Sequence, residues 1–364
     1  MQTSYFTPSS LPSEILFLIL TNLADSSHKQ QYLRRVALSG SILRTKAERL
    51  MYKSIRLTNG GQVDALFDAL TSAIRGRARV GYVKTLKIVD KSPDNSIEFE
   101  VSVLRTLLAM LPNLLELQVR ALRPGSMKTL TNGVVCHVKL QRLVMRSIPH
   151  NIVGYFAGQR SIKRLTLTHS ISLFPVPEGL RDILPNLEDV TGPALLLAEL
   201  IPGRPVSRVT TWTLFRPSAN SHARALGVAM AQSAAPITFF SCKWMYSLDA
   251  ETFRAMGHGL SHVESMEVKY RHYGPPNQYS WLDGLDGYNN LHKIYYTHRD
   301  RDLVQHTALL NALRSLSSIC PTLQYFQVGR PNITLDLEYA FDAQVRAWSL
   351  VAGELGSDGI AALQ

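Results

Sequence analysis

Cysteine is scarce in this chain. Cys136, Cys242 and Cys320 are odd in number and far apart, with no paired metal spacing. A disulfide framework and a cysteine-based zinc site are therefore not expected, whereas reduced, buried thiols in a cytosolic or nuclear protein are. No segment reaches the roughly 18–20 apolar residues of a membrane span, so no membrane partner is expected. The most apolar N-terminal run, Leu11 to Ala24, contains Glu14 and follows no basic segment, which argues against a signal peptide. There is no long low-complexity tract and no compact Lys/Arg cluster of the kind that serves as a nuclear address. Catalytic signatures are missing too: no phosphate-cradling Gly-Lys loop, no dinucleotide glycine fingerprint and no serine nucleophile elbow. His258 and His262 are four apart, but Gly259 stands where a metalloprotease helix needs Glu. The charged run His298-Arg299-Asp300-Arg301-Asp302 reads as a loop or helix start. No catalytic residue, metal or cofactor is expected, and the chain does not read as an enzyme.

What is present is aliphatic material in a regular order. Of 364 residues, 45% are apolar and 18% charged, a globular composition with ample material for a core. Ten times an apolar residue is followed three and five positions later by further core-compatible residues. The instances are Val83-Leu86-Ile88, Leu114-Leu117-Val119, Leu140-Leu143-Met145, Ile162-Leu165-Leu167 and Leu187-Val190-Gly192. They continue as Val206-Val209-Thr211, Ile237-Phe240-Cys242, Val263-Met266-Val268, Leu291-Ile294-Tyr296 and Leu323-Phe326-Val328. Their mean separation of about 27 residues falls within the period of about 20–29 for leucine-rich repeats. In an extended strand the second and third positions point the same way, and the first lies where the chain turns in from a helix. One such unit cannot cover its own apolar face, so neighbours must stack. Pro112, Pro185 and Pro321 each precede a first-position Leu by two residues, where proline ends a helix and permits extended chain. Gly192 and Thr211 weaken the third position, so looser packing is expected in the middle of the array.

Helix-like stretches alternate with these strands. Residues 97–110 carry Val101, Leu104, Leu107 and Leu108 on one stripe, and residues 302–319 carry Leu303, Leu309, Leu310, Leu313 and Leu316. The Ala-rich stretch from Ser218 to Ala235 reads as another helix. The Gly, Pro, Asn and Asp content of residues 271–287 reads as a loop projecting between repeats. The expected fold class is α/β: a leucine-rich-repeat solenoid over residues 58–330, horseshoe-like, with parallel strands concave and helices convex. It is preceded by a small all-α domain over residues 1–57. Residues 331–364 read as a C-terminal cap in which Trp348 and Val351 cover the last repeat, with a loose tail from Gly353.

The N-terminal segment Leu11-Pro12-Ser13-Glu14-Ile15-Leu16-Phe17-Leu18-Ile19-Leu20 opens a helix, with Ser10 as its cap and Pro12 in the first turn. Glu14 suits the positive end of the helix dipole. Apolar residues from Ile15 to Leu20 surround the axis, and such a helix requires burial on every side. This segment resembles an F-box: the family opens Leu-Pro-x-Glu followed by aliphatic pairs. Leu33, Val36, Leu38 and Ser39 resemble its second-helix pattern, and Leu50 to Leu57 resembles the segment that joins an F-box to following repeats in fungal members. The Trp common in the family near the place of Ile42 or Leu43 is absent. The resemblance implies binding to the Skp adaptor, and through it to cullin, of a Skp–cullin–F-box ubiquitin ligase. It also implies that Leu11, Pro12, Ile15, Ile19, Leu33 and Val36 contact that adaptor, and that the repeats hold a substrate. The alternative readings are a simple helical cap on the solenoid and a non-ligase interaction scaffold with a degenerate F-box.

Net charge is +11, which favours acidic partners. Alternation places the residues two, four and six after each first position on the outward strand face. Nine of these are basic, Lys87, Arg120, Arg142, Arg146, Arg164, Arg208, Lys243, Lys269 and Lys293, against the acidic Glu116, Asp189 and Glu267. Trp212, Phe239, Tyr295 and Tyr325 share the face in its second half. Arg pairs bidentately with carboxylates and phosphates, and exposed Arg and aromatic residues anchor interfaces. The face is therefore expected to bind an acidic or phosphorylated protein segment through Arg120, Arg142, Arg146, Arg164, Arg208, Trp212, Lys243, Lys269, Lys293, Tyr295 and Tyr325. A solvated basic lining without a ligand is the bland alternative. Nucleic acid is the less favoured partner, because the basic positions are spread along the array and no nucleic-acid module is present.

Overall fold

Every one of the thirty positions in the ten apolar triplets is buried, including Gly192 and Thr211. The computed structural model describes residues 15, 18, 20, 29–39, 41–89, 101–120, 139–146, 153, 156, 158–168, 179–212, 219–244, 250–270, 279–298, 306–329, 337–342 and 347–352. They fall in two compact units, residues 1–161 and 162–364. The fold is mixed α/β, with an open and mostly parallel sheet in each unit.

The first unit begins with two helices, α1 (Lys29–Ser39) and α2 (Ser41–Lys53), joined by a single residue. Leu20, Leu33 and Ala47 form their buried core, with Val36, Ala37, Leu50 and Met51 packed on it. The chain passes from α2 directly into β1 (Ser54–Leu57), then α3 (Gly60–Thr71), α4 (Gly76–Tyr82), β2 (Thr85–Ile88), α5 (Val101–Ala109), β3 (Glu116–Val119) and β4 (Arg142–Met145). These four strands are parallel and pair in chain order. A reciprocal cap opens α3: Asn59 Oδ1 accepts from the Gln62 N–H at 2.9 Å, and Gln62 Oε1 accepts from the Thr58 N–H at 2.7 Å. Two otherwise orphaned donors are thereby satisfied. Glu48 on α2 accepts from Arg75 and from Arg79, both at 3.1 Å, tying the helical pair to α4. Gly76 opens α4 because a Cβ there would stand 2.0 Å from the Leu70 carbonyl oxygen.

The second unit runs β5 (Arg164–Leu167), β6 (Asp189–Gly192), α6 (Ala194–Leu200), β7 (Arg208–Thr211), α7 (Ala219–Ala231), β8 (Phe239–Trp244), α8 (Ala250–Met256), β9 (Ser265–Tyr270), β10 (Lys293–His298), α9 (His306–Ile319), β11 (Tyr325–Gly329), β12 (Leu337–Asp342) and β13 (Ala347–Ala352). Strands β5 to β11 are parallel neighbours, and β12 and β13 add an antiparallel hairpin to β11. Before most strands the entry residue donates its N–H to the carbonyl that precedes the neighbouring strand, as Thr238 does to Ser207 and Gln324 to His292, both at 2.9 Å. Side chains do the same work beside it: Thr322 Oγ1 donates to Leu291 O at 3.0 Å. The expected helices over 97–110, 218–235 and 302–319 correspond to α5, α7 and α9. The apolar stripes of α5 and α9 are inside, at Leu104, Leu107 and Leu108 and at Leu309, Leu313 and Leu316.

Several expectations are corrected. The middle of the array does not pack loosely: a Cβ at Gly192 would meet Leu197 at 3.3 Å and Leu167 at 3.4 Å, so those two leucines fill the space a side chain would have taken. The same region is braced by Arg204, buried in the turn between α6 and β7. Its guanidinium donates to the carbonyls of Leu180, Arg181, Ile183, Leu184 and Leu200 at 2.5–3.1 Å, closing the ends of a 3-10 turn (Leu180–Asp182) and of α6. Burial pushes its pKa down, partly opposed by Asp182. Of the expected loop over 271–287, residues 271–278 lie outside the described residues and 279–287 do not project: Tyr279, Trp281, Leu282 and Leu285 are buried, and Trp281 lies 5.2 Å from Phe253 and 6.0 Å from Tyr296 between ring centroids. Four large apolar side chains outweigh the turn-forming Gly and Asp around them. Of residues 331–364, those described form the β12–β13 hairpin on β11, with Trp348 buried against Phe341 at 5.4 Å between ring centroids; the tail from Gly353 lies outside the described residues. Two outward positions, Val144 and Ser241, are buried, the latter donating to Glu267 Oε2 at 2.7 Å.

Candidate binding surfaces

Of the six residues proposed for the adaptor, Leu11, Pro12 and Ile19 lie outside the described residues. Ile15 is 44% exposed and its helical neighbour Leu18 is 58% exposed, while Leu20 turns inward. Leu33 is fully buried against the small helical core and presents nothing to a partner in this arrangement; Val36 is partly buried on the same core. Leu38, near the end of α1, is the most open apolar side chain here at 73%, and Tyr32 is exposed. Among the described residues of the N-terminal helices, Ile15, Leu18, Tyr32 and Leu38 are the exposed large apolar side chains.

The first unit's strand face is polar and cationic. Ser54, Thr85, Glu116 and Arg142 are successive cross-strand partners in one row, and Arg56, Lys87, Gln118 and Val144 in the next. Glu116 collects two cations, Arg142 at 3.5 Å and Lys87 at 4.0 Å. Both cations are well exposed, so each pair is worth at most about 1 kcal/mol and is screened by salt. Arg120 and Arg146 follow β3 and β4 directly, the first exposed and the second partly buried.

The second unit's face has a different character. Its first row runs Arg164, Asp189, Arg208, Phe239, Ser265, Lys293 and Tyr325 as successive cross-strand partners. Its second runs Thr166, Thr191, Thr210, Ser241, Glu267, Tyr295 and Gln327. Arg208 lies over the Phe239 ring, 4.1 Å from guanidinium carbon to centroid. Lys293 Nζ lies 4.6 Å from the Tyr295 centroid and 5.7 Å from that of Tyr325, itself 41% exposed. A ring contact of this kind contributes about 0.5–1 kcal/mol at exposed sites without neutralising the cation. Lys269 is held by Glu267 at 2.6 Å. Lys243 is its cross-strand partner and is partly buried, as is Trp212 just after β7. Exposed Arg164 faces Asp189 across strands. The eleven residues proposed for substrate therefore divide: Arg120, Arg142 and Arg146 in the first unit, and the other eight in the second.

Sequence reasoning missed β1 and with it Arg56, an exposed cation on the first unit's face. The signal was available: Tyr52, Ile55 and Leu57 repeat the triplet spacing one step before Val83, and Ile55 pairs with Leu86 and Leu57 with Ile88. Arg204 was also missed, because its partners are backbone carbonyls that no side-chain pattern announces. Among the described residues no group of His, Cys, Asp and Glu is placed to hold a metal ion, and no helix is long and apolar enough to cross a membrane. Compared with protein-family models and with curated proteins, the chain matches none.

Proposed function

We propose that this chain is the substrate-recognition subunit of a Skp–cullin–F-box ubiquitin ligase, an F-box-like helical segment followed by a leucine-rich-repeat solenoid. In this reading the N-terminal helices dock on the Skp adaptor, and the strand face holds an acidic or phosphorylated protein. The chain then supplies binding and no chemistry of its own, and it works in the cytoplasm or nucleus. The observation that carries the reading is the pairing of two features in one chain. One is an N-terminal helical segment that opens like an F-box and leaves Ile15, Leu18 and Leu38 uncovered. The other is a following array of strands whose outward rows are rich in Arg, Lys and aromatic residues. A second reading, an interaction scaffold that has lost the adaptor, is favoured by one detail: Leu33, which the resemblance assigns to the adaptor, is sealed in the helical core.

Capture of the full-length chain by purified Skp adaptor tests the proposal. The wild type is expected to be retained and Ile15→Asp to be lost, since a charge placed in a desolvated apolar contact costs several kcal/mol. Failure of the folded wild type to bind would leave the scaffold reading.

A further inference from the structure

Arg208 and Lys293 stand on one row of the second unit, connected through the cross-strand pairs Arg208–Phe239, Phe239–Ser265 and Ser265–Lys293. Three strand steps separate them, roughly 14 Å at about 4.8 Å per step. An extended chain rises about 3.4 Å per residue, so four residues cover that span. Parity agrees with length, because side chains four apart on an extended chain point to the same side.

The two positions also share a chemistry that sets them apart from Lys269, Lys163 and Arg181 of the same unit. Lys269 is engaged by Glu267, Lys163 by Glu188 at 2.7 Å and Arg181 by Glu199 at 2.6 Å. Among the described residues no carboxylate forms an ion pair with Arg208 or Lys293; each lies on aromatic rings. A ring orients the cation and shields one side from water while leaving its charge available to an incoming anion. The space between them is lined by the Phe239 ring and the small Ser265, and the second row beside them carries Ser241 and Glu267, the latter already tied to Lys269.

We propose that this row binds an extended acidic protein segment lying across the strands, with two anionic side chains four residues apart, one on Arg208 and one on Lys293. The inference rests on the reading of the strand face as the partner-binding surface. It names the partner's chemistry: carboxylate or phosphate groups at a fixed spacing on an unfolded stretch of chain.

The test uses the full-length protein and short fluorescein-labelled peptides of Gly and Ser carrying two Glu or two phosphoserines, set three, four or five residues apart. Fluorescence anisotropy at physiological salt reads the affinity. The four-residue spacing is expected to bind about tenfold tighter than three or five, a difference of about 1.4 kcal/mol. Arg208→Gln and Lys293→Gln are each expected to erase that preference, whereas Arg142→Gln in the first unit keeps it. Tighter binding of the phosphoserine arm assigns phosphate as the preferred group, and tighter binding of the Glu arm assigns carboxylate; either supports the proposal. Affinity that ignores spacing, or that survives both variants with circular dichroism unchanged, overturns it. So does binding of a single-stranded oligonucleotide in place of every peptide, with loss in the same two variants. Loss of the peptide result with adaptor capture intact removes this proposal alone.

Discussion

On the first unit's strand face Lys87 and Arg142 converge on one carboxylate, Glu116; on the second unit's, Arg208 and Lys293 rest on Phe239, Tyr295 and Tyr325. The strand pattern that puts these side chains outward is the same in both. What differs is the contact made: Arg142 meets Glu116 in register and pairs with it, whereas Arg208, in register with Asp189 on one side and Phe239 on the other, lies over the ring, and Lys293 meets Tyr325. A cation paired with a carboxylate is satisfied inside the protein, and its attraction for a partner is spent in part. A cation opposite a ring keeps its charge and loses only freedom of movement. The chemistry of a repeat face is therefore decided by which contacts its cations make with their cross-strand neighbours, not by how many basic residues the array contains.

The comparison extends to the interiors. The first unit ties its helices with Glu48 between Arg75 and Arg79, and the second braces the turn between α6 and β7 with Arg204 on backbone carbonyls. The largest expected effect is from Arg204→Ala. It leaves buried carbonyls without donors and opens a cavity, and should cost on the order of 3 kcal/mol or more. Hydrogen exchange should show lost protection around residues 180–206, with amides of the first unit little changed.

A smaller effect separates the units by pH. Tyr288 is fully buried and donates to Phe253 O at 2.9 Å, and burial pushes its pKa well above the ordinary value; Tyr279 is also raised by burial. Above pH about 10 the unfolded chain loses these protons and the folded chain keeps them, so the unfolded state binds fewer protons and stability falls as pH rises. Tyr288→Phe should cost about 1 kcal/mol at neutral pH through the lost hydrogen bond to the Phe253 carbonyl. It should also flatten the alkaline decline, read by urea unfolding between neutral pH and the tyrosine range. An unchanged alkaline slope would remove Tyr288 from the account.

The smallest effect sharpens the comparison of faces most directly. Glu116→Gln frees Lys87 and Arg142 and should change stability by no more than about 0.5 kcal/mol, as surface substitutions do. Affinity for poly-glutamate should rise severalfold at low salt and return to the wild-type value at high salt, because exposed charges are screened. No gain at low salt would mean that Glu116 does not hold these cations in solution.

The period-two alternation of burial was legible in the sequence because it follows from strand geometry alone: Leu86 and Ile88, or Met266 and Val268, must share a side. The proline punctuation at Pro112, Pro185 and Pro321 was equally local. What could not be read were relations between distant residues. Phe239 supports Arg208 from 31 positions along the chain. Leu167 and Leu197 compensate Gly192 from two different elements. The stretch at 279–287 carried genuine turn residues, and its burial was decided by Trp281 finding Phe253 and Tyr296. Leu33 shows the same limit at the N-terminal surface. Its helical spacing was readable, but which side of the helix the small core would claim depended on Leu20 and Ala47.

The central claim is that one chain carries two separate binding surfaces, apolar at the N-terminal helices and cationic on the strands of the second unit. Sedimentation velocity of the full-length protein mixed with purified Skp adaptor and the labelled peptide bearing phosphoserines four residues apart tests it most directly. The account predicts a single faster species containing protein, adaptor and peptide together, with Ile15→Asp losing only the adaptor and Lys293→Gln losing only the peptide. Peptide released when adaptor binds, or both ligands lost together in either variant, would contradict it.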